Sequence, residues 1–471
     1  MSDERQAIVL IHGIGERRPM DTLRSFLSGI GEEVFYNKPD RLSGSAELRR
    51  YTLPSTRSRP LTDCFELYWS HHFERGKFAQ TLAWMGDIAL LRAPFWKVGP
   101  GLRLPLALVQ ILVLVLVVGV VVGGTLHASA RGWSETWSSA QALWASGAAF
   151  WPGFAAIAVA LLGGFVTGPL AQAARYMTPN PSNVEARNKI RSDGIELITR
   201  LHNDGRYQRI VVVGHNLGSV IGLDVLRLSW DRLRMPEVIT TGVFDGGQIR
   251  QPEASEFRVN ADAVTDAPSS NRREAYQQSQ LRLWRENRRH GVRWLVTDFV
   301  TLGSPLAHAS LLLDTRSVKL AQRQREGEYP TCPPVDGSDF RHQKFTFDDG
   351  RIRDLLVGDH SAVFASVRWT NLYVPIGVLQ GDPIGGEMAP EFGAGVRDIP
   401  VTVAGRGWRR FVRSLYLASH TNYWTWAGRG DQQDVARRGH RRLAPEALIQ
   451  AMNLDIRAGG IPYPPPPVSG R

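Results

Sequence analysis

The sequence predicts an α/β fold: a mostly parallel sheet with helices on both faces, interrupted by a two-helix transmembrane hairpin. Three observations carry this. Short apolar runs stop at glycine-rich turns, as Ala7-Ile8-Val9-Leu10-Ile11 does before His12-Gly13-Ile14-Gly15, and Arg209-Ile210-Val211-Val212-Val213 before Gly214-His215-Asn216-Leu217-Gly218. A strand buried on both faces reads as such a run. These runs alternate with helix-length segments, the pattern of a parallel sheet. Finally, residues 104–126 and the stretch from Thr136 to Ala174 carry no charge.

Along the chain, a strand at 7–11 precedes a helix expected from Asp21, as N-cap, to about Tyr36. Phe65, Leu67 and Trp69 alternate on one face of a second strand. A helix over about 184–204 leads to the strand ending at Val213, and another helix follows to about Leu233. Further strands are expected at Trp294–Leu302, Arg368–Val374 and Ile399–Val403. Residues 271–290 form a basic helix, read as a solvated surface helix in preference to a cap over a site. The end, from Ile461 through Pro464, Pro465, Pro466 and Pro467, is extended and suits polyproline II.

The chain of 471 residues has 43% apolar and 21% charged residues, enough for a large core and against general disorder. Two cysteines, Cys64 and Cys332, exclude a disulfide scaffold and a cysteine-rich zinc site. At 1.5 Å per residue, a helix over 104–126 reaches roughly 34 Å, the thickness of a hydrocarbon core; a second span is expected at about 149–171. Arg92, Lys97 and Arg103 precede the first span; Arg175, Arg187, Lys189 and Arg191 follow the second. Only Arg131 and Glu135 lie between, so the positive-inside rule places the soluble parts in the cytoplasm. The expectation is a multi-pass protein of the inner or plasma membrane. Trp133, Trp137, Trp144 and Trp151 suit an interfacial belt, and Gly119/Gly123 with Gly164/Gly168 suit close helix packing. The domain boundaries that follow are 1–98 and 176–455 for the α/β body, 99–175 for the hairpin and 456–471 for the Pro-rich tail. The net charge of +11 is concentrated in residues 401–471, and suits anionic lipid as well as a solvated basic face. Nucleic-acid binding is not expected, since no recognised module accompanies the charge.

Strand, Gly214-x-x-x-Gly218, helix is the geometry of a nucleophile elbow, whose glycines permit a sharp turn that lifts the central side chain above the sheet. With Val9–Gly15, Thr301-Leu302-Gly303-Ser304-Pro305, Gly381-Asp382-Pro383-Ile384-Gly385-Gly386 and Ser419-His420-Thr421-Asn422-Tyr423-Trp424, the chain resembles the α/β-hydrolase superfamily, of the bacterial lipase/esterase-like kind. The motifs bracket about residues 5–425 outside the hairpin. The resemblance implies a carboxylic ester hydrolase with nucleophile, acid and base in that order. It puts Asn216 at the nucleophile position within the elbow Gly214, His215 and Gly218. Asp382 becomes the acid and His420 the base, and the oxyanion donors come from Gly13 or Ile14 and from Leu217. Asp359-His360 is the rival acid–base pair. No cofactor is implied, and the expected ligand is a lipid or other ester-like small molecule.

The family has serine where this chain has Asn216. A hydroxyl passes its proton to histidine and attacks a carbonyl; an amide nitrogen, delocalised into its own carbonyl, does not. Ser219 and Ser304 are poor substitutes, one a turn into the helix and the other without an elbow. Three accounts follow: a degenerate hydrolase that keeps its pocket, a variant of an active serine enzyme, or deamidation of Asn216 to an aspartate nucleophile. The function expected is therefore an esterase- or lipase-type enzyme, or a catalytically inactive pseudo-hydrolase that binds lipid or a protein. His71-His72 is read as no metal pair, since neighbours on a strand face opposite ways.

Overall fold

The computed structural model describes residues 4–14, 18–30, 36–57, 59–72, 181–235, 251–314, 318–335, 339–347, 350–377, 380–404, 407–424 and 442–456, with residues 107, 110, 173 and 175–177. The chain divides into two units. One comprises Met1–Gly13, Arg17–His72 and Glu185–Arg471; the other Ile14–Glu16 and Phe73–Val184.

The first unit is built on an eight-stranded sheet. Its strands are β1 (Arg5–Ile11), β2 (Tyr36–Pro39), β3 (Arg49–Leu53), β4 (Leu61–Leu67), β5 (Tyr207–His215), β6 (Val296–Leu302), β9 (Arg368–Tyr373) and β10 (Arg397–Pro400), in the order β10-β9-β6-β5-β1-β4-β3-β2. From β4 to β10 every pairing is parallel; β2 and β3 extend the other edge antiparallel. A separate antiparallel ribbon is formed by β7 (Phe340–Thr346) and β8 (Ile352–Gly358).

Because successive side chains point to opposite faces, Ile8, Leu10, Val211, Val213, Val300 and Leu302 share one face. They form a core with Leu23, Phe26 and Leu27 of helix α1 (Asp21–Gly29) and with Ala447, Leu448 and Ala451 of the last described helix (Ala444–Met452). The long helices between these are α2 (Pro181–Asn203), α3 (Leu217–Leu233), α4 (Pro252–Asp266) and α5 (Ser270–Arg289). Val9, Ile11, Val212 and Phe299 face the other way and are equally buried.

Several expectations are corrected in detail. Helix α1 stops at Gly29, and its N-cap is Met20 at φ 73°, with Asp21 in the first turn. The basic helix at 271–290 is no solvated surface element. One side of α5 is buried, where Tyr276 and Gln280 donate to the Phe364 carbonyl (2.9 and 2.6 Å) and the Trp284 indole donates to the Trp294 carbonyl (2.9 Å). Ser70–His72 is a single 3-10 turn after β4, so the argument from strand alternation fails and the His71 and His72 rings come within 3.9 Å.

The two-helix transmembrane hairpin, and with it the multi-pass membrane localisation and cytoplasmic body, is corrected as well. Among the described residues no helix is long and apolar enough to cross a membrane. The longest, α2, has 23 residues but carries Glu185, Arg187, Lys189, Arg191, Asp193, Glu196 and Arg200, charges that a hydrocarbon core opposes. The stretches 104–126 and 149–171 lie outside the described residues except for Ala107 and Gln110.

One buried histidine ties α2 to the sheet. His202 donates from Nδ1 to the Ile198 carbonyl (2.7 Å) and accepts the Leu295 N–H at Nε2 (2.9 Å). Burial drives its pKa down to about 3 from 6.5, against the pull of the Ile198 carbonyl. A pKa depressed on folding contributes stability above the unfolded value, and that stability is lost as pH falls toward the folded value. Urea denaturation is expected to show His202 withdrawing about 3 kcal/mol between pH 7 and pH 4. His202→Gln should be less stable at pH 7 but lose that component of the acid sensitivity.

Candidate active site

The parallel strands set their carboxyl ends side by side, and each hands over to a loop at the same edge, where open α/β sheets place their ligands. Adjacent loops are hydrogen-bonded in a staircase. Asn216 N–H donates to the Leu302 carbonyl (3.0 Å), Gly303 N–H to Leu372 (3.1 Å), and Asp382 N–H to Val374 (3.1 Å).

The turn between β5 and α3 is sharp. Asn216 sits at φ 51°, ψ −126°, a backbone conformation that costs an L-residue of order 1–3 kcal/mol. Its flanking glycines are there for space. A Cβ at Gly214 would stand 2.6 Å from the Ser219 Cα, and one at Gly218 would collide with the Ile11 and His12 carbonyl oxygens. Helix α3 therefore starts directly against the end of β1.

Asn216, His420 and Asp382 form a hydrogen-bonded line. His420 Nδ1 lies 3.0 and 2.9 Å from the two Asp382 carboxylate oxygens, so that nitrogen carries the proton. Its Nε2 then accepts from the Asn216 amide Nδ2. Asp382 is fully buried. Burial pushes its carboxyl upward, but the His420, Tyr423 and Gly385 donors outweigh this and hold it below its ordinary value. The Ile384 N–H adds a fourth bond at 2.9 Å. His420 is on the short helix Tyr416–Thr421, fixed by Ser419, whose hydroxyl donates to the Gly381 carbonyl (2.6 Å). His215 donates from Nε2 to the His420 carbonyl (2.9 Å), and the two rings stack at 5.3 Å.

Of the expected oxyanion donors, Gly13 and Leu217 share the first unit with Asn216; Ile14 belongs to the second. Leu217 is the first residue of α3, so its N–H has no acceptor within the helix. Gly13 lies over the elbow: a Cβ there would be 2.9 Å from the Asn216 Cβ. The Gly13 carbonyl accepts from His12 Nδ1 (2.8 Å), whose Nε2 accepts the Trp69 N–H (3.3 Å) while its ring stacks on the Trp69 indole at 4.8 Å.

The alternative residues are placed elsewhere. Ser219 and Ser304 hydrogen-bond to each other; Ser219 also donates to the Asn216 carbonyl, and Ser304 accepts the Leu306 N–H. Asp359 and His360 pair at 3.2 Å at the end of β8, where Arg234 (3.4 Å) and Arg341 (3.0 Å) neutralise the carboxylate.

Tyr423 has no assigned role in the sequence reading, which quotes it only as part of a motif. Its hydroxyl accepts the Val374 N–H (3.1 Å) and donates to Asp382 (2.8 Å), and burial together with that carboxylate raises its own pKa well above the ordinary value. Gly303, at φ 51°, leaves room for the same carboxylate: a Cβ there would be 2.7 Å from Asp382 Oδ2. A tyrosine three residues after His420 is the signal that would have found the first of these.

No protein-family model matches this chain, and neither does a curated protein or a solved structure. The functional reading therefore rests on the residues and their geometry.

Tyr423→Phe removes two buried hydrogen bonds, one to a charged acceptor, and is expected to lower stability by about 1–3 kcal/mol in urea denaturation. With a donor gone, the Asp382 pKa moves up. A depressed carboxylate pKa contributes stability that is lost as pH falls through it, so the variant should begin to lose stability at a higher pH than the native protein.

Proposed function

We propose that this is an α/β-hydrolase-fold protein with the site of a carboxylic ester hydrolase of the lipase/esterase type, in which Asn216 stands where the nucleophile is required. It holds an ester- or lipid-like small molecule and turns it over orders of magnitude more slowly than a serine form would. The observation that carries this is the line Asp382–His420–Asn216, set at the strained turn between β5 and α3.

The chemistry follows from the protonation pattern. With Asp382 holding the Nδ1 proton, His420 presents an Nε2 lone pair to residue 216. A serine hydroxyl there would give its proton to Nε2 as its oxygen bonds the ester carbonyl carbon. The negative charge would pass to the carbonyl oxygen, and the Leu217 N–H at the head of α3 is a donor for it. His420 would return the proton to the departing alcohol, and water would release the acid in a second round. Asn216 offers Nε2 an N–H instead, and the lone pair of that nitrogen is committed to its amide. Acyl transfer stops at its first bond. Substrate positioning and oxyanion donors still leave weak catalysis in such sites.

The test compares the protein with Asn216→Ser. The serine form is expected to label with a fluorophosphonate probe and to hydrolyse nitrophenyl esters roughly 10³-fold faster or more, with the gain abolished by adding His420→Ala. A folded Asn216→Ser protein that neither labels nor hydrolyses esters of several chain lengths would remove the reading. Labelling of the protein as it stands would move the nucleophile to another serine.

A further inference from the structure

We propose a second site, unrelated to the hydrolase-like one: His71, His72 and Asp193 bind one divalent transition-metal ion of the zinc type. The three residues come from two elements of the same unit. His71 and His72 end the 3-10 turn that follows β4, and Asp193 lies in the middle of α2. One ligand atom from each lies within 4.8 Å of the others, and His72 Nε2 is already 2.6 Å from an Asp193 carboxylate oxygen.

Geometry and chemistry agree. Zinc takes imidazole nitrogen and carboxylate oxygen at about 2.0–2.2 Å, which sets donors about 3.3 Å apart around a tetrahedron. An ion between these groups needs His72 and Asp193, now 2.6 Å apart, to separate slightly and the more distant donors to draw in from within 4.8 Å. Two imidazoles with one carboxylate suit zinc, cobalt or nickel; magnesium and calcium call for an all-oxygen set. The His71 ring lies parallel to Tyr68 at 5.4 Å, which limits its orientation, as outer-shell partners do at metal sites. His71 is exposed, which leaves a fourth position open to water.

Such an ion joins the segment after β4 to α2. Tyr68 also packs against His12 at 5.5 Å, so the clamp lies two rings from the loop carrying Gly13. Binding stabilises the folded chain by mass action.

The test uses the untagged full chain, stripped with EDTA and titrated with Zn²⁺ alone by calorimetry, with metal content measured after desalting. The expected result is one equivalent bound, with a thermal unfolding midpoint that rises with Zn²⁺. His72→Gln and Asp193→Asn, each checked for folding by circular dichroism, should weaken binding by about tenfold or more and abolish the thermal shift. His360→Gln, on an exposed histidine paired with Asp359, should change neither. Failure of the native chain to take up an equivalent overturns the proposal. Unchanged affinity in both folded variants, or loss of binding in His360→Gln, overturns it as well.

Discussion

The site depends on how closely the first turn of α3 approaches the end of β1. Gly218 stands against the Ile11 and His12 carbonyls with no room for a side chain, and Gly214 is as close to Ser219 on the other flank. Between them the chain must reverse within one residue, and only a left-handed φ at Asn216 does this. Raising the helix by the depth of a methyl group would release the strain, but it would also carry residue 216 away from His420. The strain and the placement are one constraint, maintained by β1 and β5, each buried at all but one residue, and by the staircase of loop hydrogen bonds.

Two buried charge systems share the sheet and sit at opposite ends of its strands. At the carboxyl ends, Asp382 is shielded from water and held ionised by His420, Tyr423 and backbone N–H groups. Toward the amino ends, Arg209 and Arg368 share the Asp298 carboxylate, and Arg209 also donates to the Met452 and Asn453 carbonyls at the end of the last described helix. A helix C-terminus leaves carbonyls without partners, and a cation there is favoured electrostatically. The second system is therefore an anchor for a helix packed on the core of Ile8, Val211 and Val300. All the N–H groups of Arg209 are engaged there, whereas the His420 imidazole has one nitrogen turned toward the side chain at position 216.

Strands β1 and β5 were legible because each is buried on both faces and holds an unbroken apolar run, Ala7–Ile11 and Ile210–Val213. Gly13 and Asn216 stood out because they follow those runs closely. What escaped has physical reasons. Strand β2, Tyr36-Asn37-Lys38-Pro39, is exposed along its whole length and has the lysine and proline that edge strands carry, so it shows no alternation. The ribbon β7–β8 buries only Leu355 and Val357, in a small cluster with Phe347, so its core-facing pattern is short. Met20 as a left-handed cap runs against capping preference. Tyr423 was hidden because a hydroxyl that serves two partners across 49 and 41 residues has no local signature. His71 and His72 were read with strand geometry, but β4 ends at Leu67, five residues before His72, and a 3-10 turn brings together what a strand would separate.

The fit of asparagine at position 216 to the folded site has a simple account. His420 Nε2 is a buried acceptor whose other nitrogen is committed to Asp382, and a buried acceptor left without a donor costs about 1–3 kcal/mol. Serine would satisfy it with O–H, and asparagine satisfies it with N–H. The backbone at φ 51°, ψ −126° strains either residue alike. For the folded molecule the two residues are near equivalents, donor for donor on the same imidazole. They part only when a carbonyl carbon approaches, because the oxygen keeps a lone pair after giving up its proton and the amide nitrogen has none to spare. On the proposed reading, the bond-forming step depends on the side chain at position 216 while the interactions that hold the site together do not.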